Sequence, residues 1–273
     1  MPRRITSVQN PLIKNVMALA EKSRERKKQG LFVAEGLREV GLALKNGFQA
    51  DSLFFDEDKT SPEALDQLFA TGAEEPRDIY AVSTAVMEKI AFRASVPNVV
   101  ALLRRRDRRL SELSPAPAPL VLILETIEKP GNLGAILRTA DAAGVDAVIV
   151  CDPLVDEYNP NAIRSSLGAI FSVPIVTTDA EPALAWLRRQ GIRIFSTYLG
   201  ASTPYYTIDL KGPSAFVLGS EAYGISDFWV RESNQNIIIP MQGQVDSLNV
   251  SVSAAIVLFE AVRQRAANPK HPS

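Results

Sequence analysis

The sequence predicts two α/β units, a small one at the N-terminus and a larger one built on a parallel sheet. Three observations predict it. Strand-like and helix-like stretches alternate along most of the chain. Leu120–Leu124 is an uninterrupted apolar run, as in a strand covered on both faces. Between the two regions, Leu110 to Pro119 carries prolines at 115, 117 and 119, an extended spacer that no helix tolerates. The boundaries follow as 1–107, a proline-rich linker at 108–118, a second domain at 119–268 and a tail at 269–273.

In the first region, Asn10-Pro11 caps a helix whose Leu12, Val16 and Leu19 recur at helical spacing. The basic cluster Lys22 to Lys28 continues that helix or forms its exposed end. Leu31-Phe32-Val33 reads as a strand, and Glu35 to Lys45 as a helix closed by Asn46-Gly47. Further strands are expected at 52–55, 80–82 and 99–103, with helices near 61–69 and 83–91.

After the linker the alternation strengthens. Following the strand at 120–124, we expect helix 133–143, strand 147–150, helix 161–167, strand 175–176 and helix 181–190. Strands 192–197, 215–218 and 237–239 come next, then a final helix from about 249 to 265. Its run Ala254 to Phe259 is apolar around the circumference, so that helix must be buried against the core, a partner or both.

Composition removes much chemistry. The chain has one cysteine and one histidine, so no disulfide framework, zinc site of usual spacing or ordered Ser-His-Asp site is expected. His271 sits in the tail, and Cys151, after Ala147 to Val150, reads as a buried strand end rather than a nucleophile. No apolar run approaches a membrane span and no secretory signal is visible, which together predict a cytoplasmic protein with no membrane and no metal partner. Net charge is −1, yet residues 1–30 carry eight Lys/Arg against two Glu, and 51–79 carry nine Asp/Glu against two basic residues. With Arg104, Arg105, Arg106, Arg108 and Arg109 before the linker, this segregation suggests a side that faces a polyanion.

Ligands of open parallel sheets bind beyond the carboxyl ends of strands. Three such ends are rich in glycine and small polar residues: Glu125–Arg138, Leu218–Ser226 and Ile239–Ser253. None fits the G-x-G-x-x-G or phosphate-loop pattern. Singly each has a plain explanation: Asn132 or Asn249 could cap a helix, and Arg138 could be a surface arginine. Those explanations do not account for all three together.

Together they resemble the SpoU/TrmH family of RNA ribose methyltransferases, within the SPOUT group. The first family motif, N-x-G-x-x-x-R, stands as Asn132-Leu-Gly134-Ala-Ile-Leu-Arg138. The second is Leu218-Gly219-Ser220-Glu221-Ala-Tyr-Gly224, and the third is Ile239-Pro240-Met241 followed by Ser247-Leu248-Asn249-Val250-Ser251. The resemblance covers essentially all of residues 120–266, in order and without departure at the motif positions.

It implies a C-terminal trefoil knot, S-adenosyl-L-methionine (AdoMet) as cofactor, a homodimer whose interface completes the active site, and methyl transfer to a ribose 2′-hydroxyl. Carried over, Leu218, Gly219, Ile239, Met241 and Leu248 hold the cofactor, largely through main-chain groups. Arg138 becomes the central catalytic residue, with Asn132, Glu221, Ser247 and Asn249 positioning it and the ribose. A guanidinium with a pKa above ~12 suits a phosphate clamp better than a general base.

The stretches Ile5–Ile13 and Phe32–Gly36 resemble the substrate-binding domain that precedes many SpoU catalytic domains, an α/β/α fold like that of certain RNA-binding ribosomal proteins. That makes Lys14, Lys22, Arg24, Arg26, Lys27, Lys28, Arg104, Arg105 and Arg106 candidate RNA contacts, which would position the substrate without reading its sequence. The domain favours large-subunit (23S) rRNA over tRNA. An antibiotic-resistance enzyme and a non-catalytic RNA-binding assembly factor remain alternatives.

Overall fold

The computed structural model describes residues 2–70, 74, 76–92 and 96–266. The expected C-terminal tail, His271 included, lies outside them. In chain order the first elements are β1 (Arg3–Ile5), α1 (Pro11–Glu21), α2 (Ser23–Gln29), β2 (Leu31–Glu35), α3 (Leu37–Lys45) and β3 (Ala50–Asp56). They are followed by α4 (Pro62–Phe69), β4 (Asp78–Val82), α5 (Thr84–Ile90) and β5 (Val99–Arg104). Then come β6 (Leu120–Glu125), α6 (Pro130–Ala142), β7 (Ala147–Cys151), α7 (Pro160–Ser166), α8 (Ala169–Ser172), β8 (Ile175–Thr178) and α9 (Ala180–Arg189). The last are β9 (Arg193–Thr197), β10 (Thr203–Pro204), β11 (Ser214–Leu218), α10 (Asp227–Glu232), β12 (Gln235–Ile238) and α11 (Val250–Ala266).

The chain divides into two compact units, and the division is not a single cut. Residues 156–172, carrying α7 and α8, pack with 1–106, while 107–155 and 173 onward form the second unit. The expected continuous domain at 119–268 is corrected accordingly. The cause is partly aromatic: Phe32 of β2 stacks on Tyr158 with ring centroids 4.3 Å apart and lies 6.1 Å from Phe171.

The first unit's sheet runs β1-β4-β3-β5-β2, with β5 antiparallel to both β2 and β3. Alternation along the strands gives it two apolar faces. Val33, Phe54, Tyr80 and Val82 meet Ile13, Val16 and Leu19 of α1 and Val86, Met87 and Ile90 of α5 in one buried core. The basic cluster does not extend α1. Lys22 is extended at φ −112°, ψ 111°, and α2 restarts behind it and stops at Gly30 in the left-handed region. Glu35 ends β2 instead of starting a helix, because Gly36 turns the chain at φ 92°.

Among the described residues the second unit has a seven-stranded sheet, order β10-β12-β9-β11-β6-β7-β8, every pairing parallel. This is the expected parallel sheet. Its interior strand β6, between β11 and β7, is buried at every position, as its unbroken apolar run requires. On one face, Val121, Ile123, Ala215 and Val217 pack with Ala183, Leu184, Trp186 and Leu187 of α9 and with Trp229. On the other, α11 lies against α6 and β11. Strand order reverses where β11 inserts between β6 and β9, so the loops after β6, β9, β11 and β12 collect at one edge, the usual position of a ligand cleft.

Candidate active site

The loop after β11 forms the floor of that cleft. At its start Gly219 is forced: a Cβ there would sit 1.9 Å from the Gly224 carbonyl oxygen. Only glycine lets the backbone cross itself so closely. Ser220 and Gly224 exchange N–H···O bonds of 3.0 Å in both directions, and the Ser220 hydroxyl accepts from the Tyr223 N–H at 3.0 Å. Gly224 makes the turn with φ 68°. Behind the loop, the buried Glu125 carboxylate accepts from both the N–H and the hydroxyl of Ser226, each at 2.7 Å.

A polar relay joins the three motif loops. Asn249 caps α11: its Oδ1 accepts from the Ser251 N–H at 2.9 Å and the Ser251 hydroxyl at 2.6 Å. That fixes its amide orientation, so Nδ2 is left to donate to Asn132 Oδ1 at 3.2 Å. Asn132 in turn donates its own Nδ2 to Glu221 Oε1. The second carboxylate oxygen, Oε2, is buried without a partner among the described residues. One acceptor therefore remains free at the end of a relay whose other members are all engaged.

Asn132 does not cap α6, contrary to one sequence expectation. Lys129 holds the cap position, Pro130 starts the helix and Asn132 stands one turn in, its amide turned to Glu221.

The cleft encloses about 540 Å³, within the range of small-molecule sites. Leu218, Gly219, Ile239, Met241 and Leu248 all line it, as do Glu221, Ser247 and Asn249. Arg138 does not. It lies on α6, exposed, with no ion pair or hydrogen bond to a described residue. The structure of one chain thus brings the relay and the cleft together and leaves the arginine out. Sequence reasoning also missed Lys129, which lines the cleft, and the Glu125–Ser226 brace.

The basic residues of the first unit fall into two groups. Lys14, Lys22, Arg24, Lys27 and Lys28 are exposed. Arg26 is not: its side chain is 1% exposed, pairs with Asp156 at 2.6 Å and donates to the Leu19 and Ala20 carbonyls. Arg105 also binds Asp156 at 3.0 Å, and Glu157 at 3.1 Å. Burial alone would raise the Asp156 pKa, but hydrogen bonds and charge from Arg26 and Arg105 outweigh it and hold the carboxyl below its ordinary value. Arg106 donates to the carbonyls of Asn46 and Gly47, and Arg104 pairs with Asp51 at 3.2 Å. Arg26 and Arg105 are therefore withdrawn as RNA contacts: both guanidiniums are spent inside the fold.

Cys151 is fully buried at the end of β7. Desolvation, then the nearby Asp152, Glu125 and Asp179, push its thiol up to about 12, so it carries no nucleophilic role.

Residues 119–259 match the model of the SpoU rRNA Methylase family, and 10–109 match that of the MRM3-like substrate binding domain. The chain belongs to the SpoU rRNA methylase family. Over 96% of its length and 94% of the relative's, this SpoU chain is 35% identical to an uncharacterised tRNA/rRNA methyltransferase of Synechocystis. It is 29% identical to the 23S rRNA (guanosine(2553)-2′-O)-methyltransferase RlmP of Bacillus subtilis, covering 94% of this chain and 98% of that one. Among solved structures, an AdoMet-bound rRNA methyltransferase of Sinorhizobium meliloti superposes with a TM-score of 0.85 at 31% identity, covering 96% and 97% of the two chains.

The cleft of this SpoU chain suits AdoMet on its own geometry. Leu218, Gly219, Ile239, Met241 and Leu248 wall a small-molecule-sized cleft, and the backbone crossing at Gly219 admits no side chain there.

Proposed function

We propose that the chain transfers the methyl group of S-adenosyl-L-methionine to a ribose 2′-hydroxyl of large-subunit (23S) rRNA. The observation that carries this reading is the relay Ser251–Asn249–Asn132–Glu221, which ends on an unpartnered carboxylate oxygen at the cleft.

Bound in the cleft, the cofactor supplies a methyl group on a positively charged sulfur. The chain's own residues bind and orient. Leu218, Gly219, Ile239, Met241 and Leu248 form the walls that hold it. The relay keeps Glu221 in one orientation, so that Oε2 can accept a hydrogen bond from the incoming hydroxyl and align it. Arg138, protonated, clamps a phosphate of the substrate, and does so in the cleft of a second copy. Support for that arrangement comes from its absence from this chain's own cleft, and from Val252 and Phe259, which stand exposed seven residues apart on one face of α11. The return of α11 over β11 is the path that a threaded trefoil would take, and we place the knot there.

The N-terminal unit docks RNA through Lys14, Lys22, Arg24, Lys27 and Lys28, the exposed part of the basic cluster. rRNA is preferred to tRNA because two relatives named as 23S rRNA enzymes match over 94% and 96% of the chain, whereas a tRNA-modifying TrmH/SpoU structure covers 60% of it. Asn132, Arg138, Glu221 and Asn249 are all present, which argues against a non-catalytic assembly factor. Among the described residues no helix is long and apolar enough to cross a membrane, and we assign the protein to the cytoplasm with its substrate.

Mapping 2′-O-methylated positions in total RNA from cells with and without the gene tests this reading. One large-subunit rRNA position should lose its methyl group; loss of a tRNA position instead, or of none, would contradict it.

A further inference from the structure

Among the cleft-lining residues, the charged side chains are Glu221, Asp246 and Lys129. Two are anions and one is a cation. A site that takes in a ribose from RNA must also meet a phosphate, since the carbon beside the 2′-hydroxyl carries the 3′-phosphodiester. Any pose that brings the hydroxyl to Glu221 also brings a phosphate into a cleft with two carboxylates.

We infer that Lys129 binds the phosphodiester next to the target ribose, a role that rests on the RNA methyl-transfer reading above. Four observations lead there. Its side chain is exposed and has no ion pair or hydrogen bond with a described residue, so the ammonium is free to take a ligand. It lines the same cleft as Glu221 and Asn249. It lies one helical turn ahead of Asn132, the residue that holds Glu221, so cation and carboxylate are tied through a single element. Its backbone is also set: Pro130 restricts the preceding residue to extended conformations, and Lys129 stands at φ −98°, ψ 118° while its carbonyl accepts from the N–H groups of Asn132 and Leu133. A lysine on a free surface loop has none of this restraint. Arg138 of the same chain does not line the cleft, so Lys129 is the cation that this chain itself brings to it.

The test uses the full-length protein and an unmodified large-subunit rRNA transcript. Methyl transfer is measured for wild type, Lys129→Gln and Lys129→Arg over a salt series, with AdoMet affinity followed by calorimetry. Lys129→Gln should raise KM for RNA about tenfold, the scale of one lost charge-assisted hydrogen bond. It should also flatten the salt dependence of RNA binding by about one counterion. AdoMet affinity should not move, and Lys129→Arg should restore most of the loss. An unchanged RNA KM and salt slope overturns the proposal. So does a loss of AdoMet affinity with RNA KM intact, which would assign the lysine to the cofactor's carboxylate. A wild-type protein that transfers no methyl group to ribose would instead sink the enzyme reading itself, and the role of Lys129 with it.

Discussion

The carboxylate of Glu125 holds Ser226 at two points, its N–H and its hydroxyl, each at 2.7 Å. Glu125 is the last residue of β6 and is buried, while Ser226 closes the loop that begins at Gly219. An interior strand of the sheet thus fixes the far end of the loop after β11. Removing the carboxylate deletes two hydrogen bonds to a charged acceptor, a loss of about 1.5–3 kcal/mol. Glu125→Ala should therefore weaken AdoMet binding about tenfold by calorimetry, while Ser226→Ala, which keeps the backbone bond, should cost about 1 kcal/mol or less.

Gly219 and Gly131 form a matched pair for a steric test. A Cβ at Gly219 would fall 1.9 Å from the Gly224 oxygen, whereas one at Gly131 meets nothing within 4 Å. Gly219→Ala should destabilise the protein by about 1–3 kcal/mol and abolish measurable AdoMet binding. Gly131→Ala, on α6, should be neutral or stabilising by up to about 1 kcal/mol in denaturant titration.

Arg26 and its neighbours separate structure from RNA binding within one helix. Arg26→Ala leaves Asp156 buried with half its compensation gone and should cost about 3–5 kcal/mol. Reversing the charge of exposed Lys27 and Lys28 should leave stability within about 0.5 kcal/mol but weaken RNA binding and flatten its salt dependence. The pH dependence has a definite sign. The folded pKa of Asp156 is depressed, so its contribution is fully present above the unfolded carboxyl value of about 3.9 and is lost as pH falls through the lower folded one. Asp156→Asn should remove that part of the acid transition.

How far the sequence disclosed these features depends on the reach of each interaction. The parallel sheet was legible because burial on both faces writes itself as an apolar run, as in Leu120–Leu124. The cleft lining was legible because three motif loops stand at strand ends, and Leu218, Gly219, Ile239, Met241 and Leu248 do line one cleft. The fate of Arg26 was not, since its partner Asp156 lies 130 positions away and a buried arginine looks like any other in a basic run. Asn132 satisfied every local rule for a helix cap, yet Pro130 moves the helix start back to Lys129 and frees the amide for Glu221. The allegiance of residues 156–172 turned on aromatic and ionic contacts with β2 and α2 that no local pattern encodes.

Arg138 makes no ion pair or hydrogen bond with a described residue and does not line its own chain's cleft. Arg138→Ala should abolish methyl transfer with AdoMet affinity near wild type. If the arginine serves a second copy, mixing inactive Arg138→Ala with inactive Asn249→Ala should restore part of the activity, because a mixed dimer keeps one intact site. No recovery on mixing would place Arg138 in its own subunit's reaction.

The chemical position of the transferred methyl group separates ribose from base methylation. Labelled methyl from AdoMet is transferred to unmodified rRNA by the wild-type protein, and the RNA is hydrolysed in alkali. Alkaline cleavage needs a free 2′-hydroxyl, so ribose methylation should leave the label in alkali-resistant dinucleotides. Label recovered in mononucleotides would mean that a base is methylated, and would contradict the account.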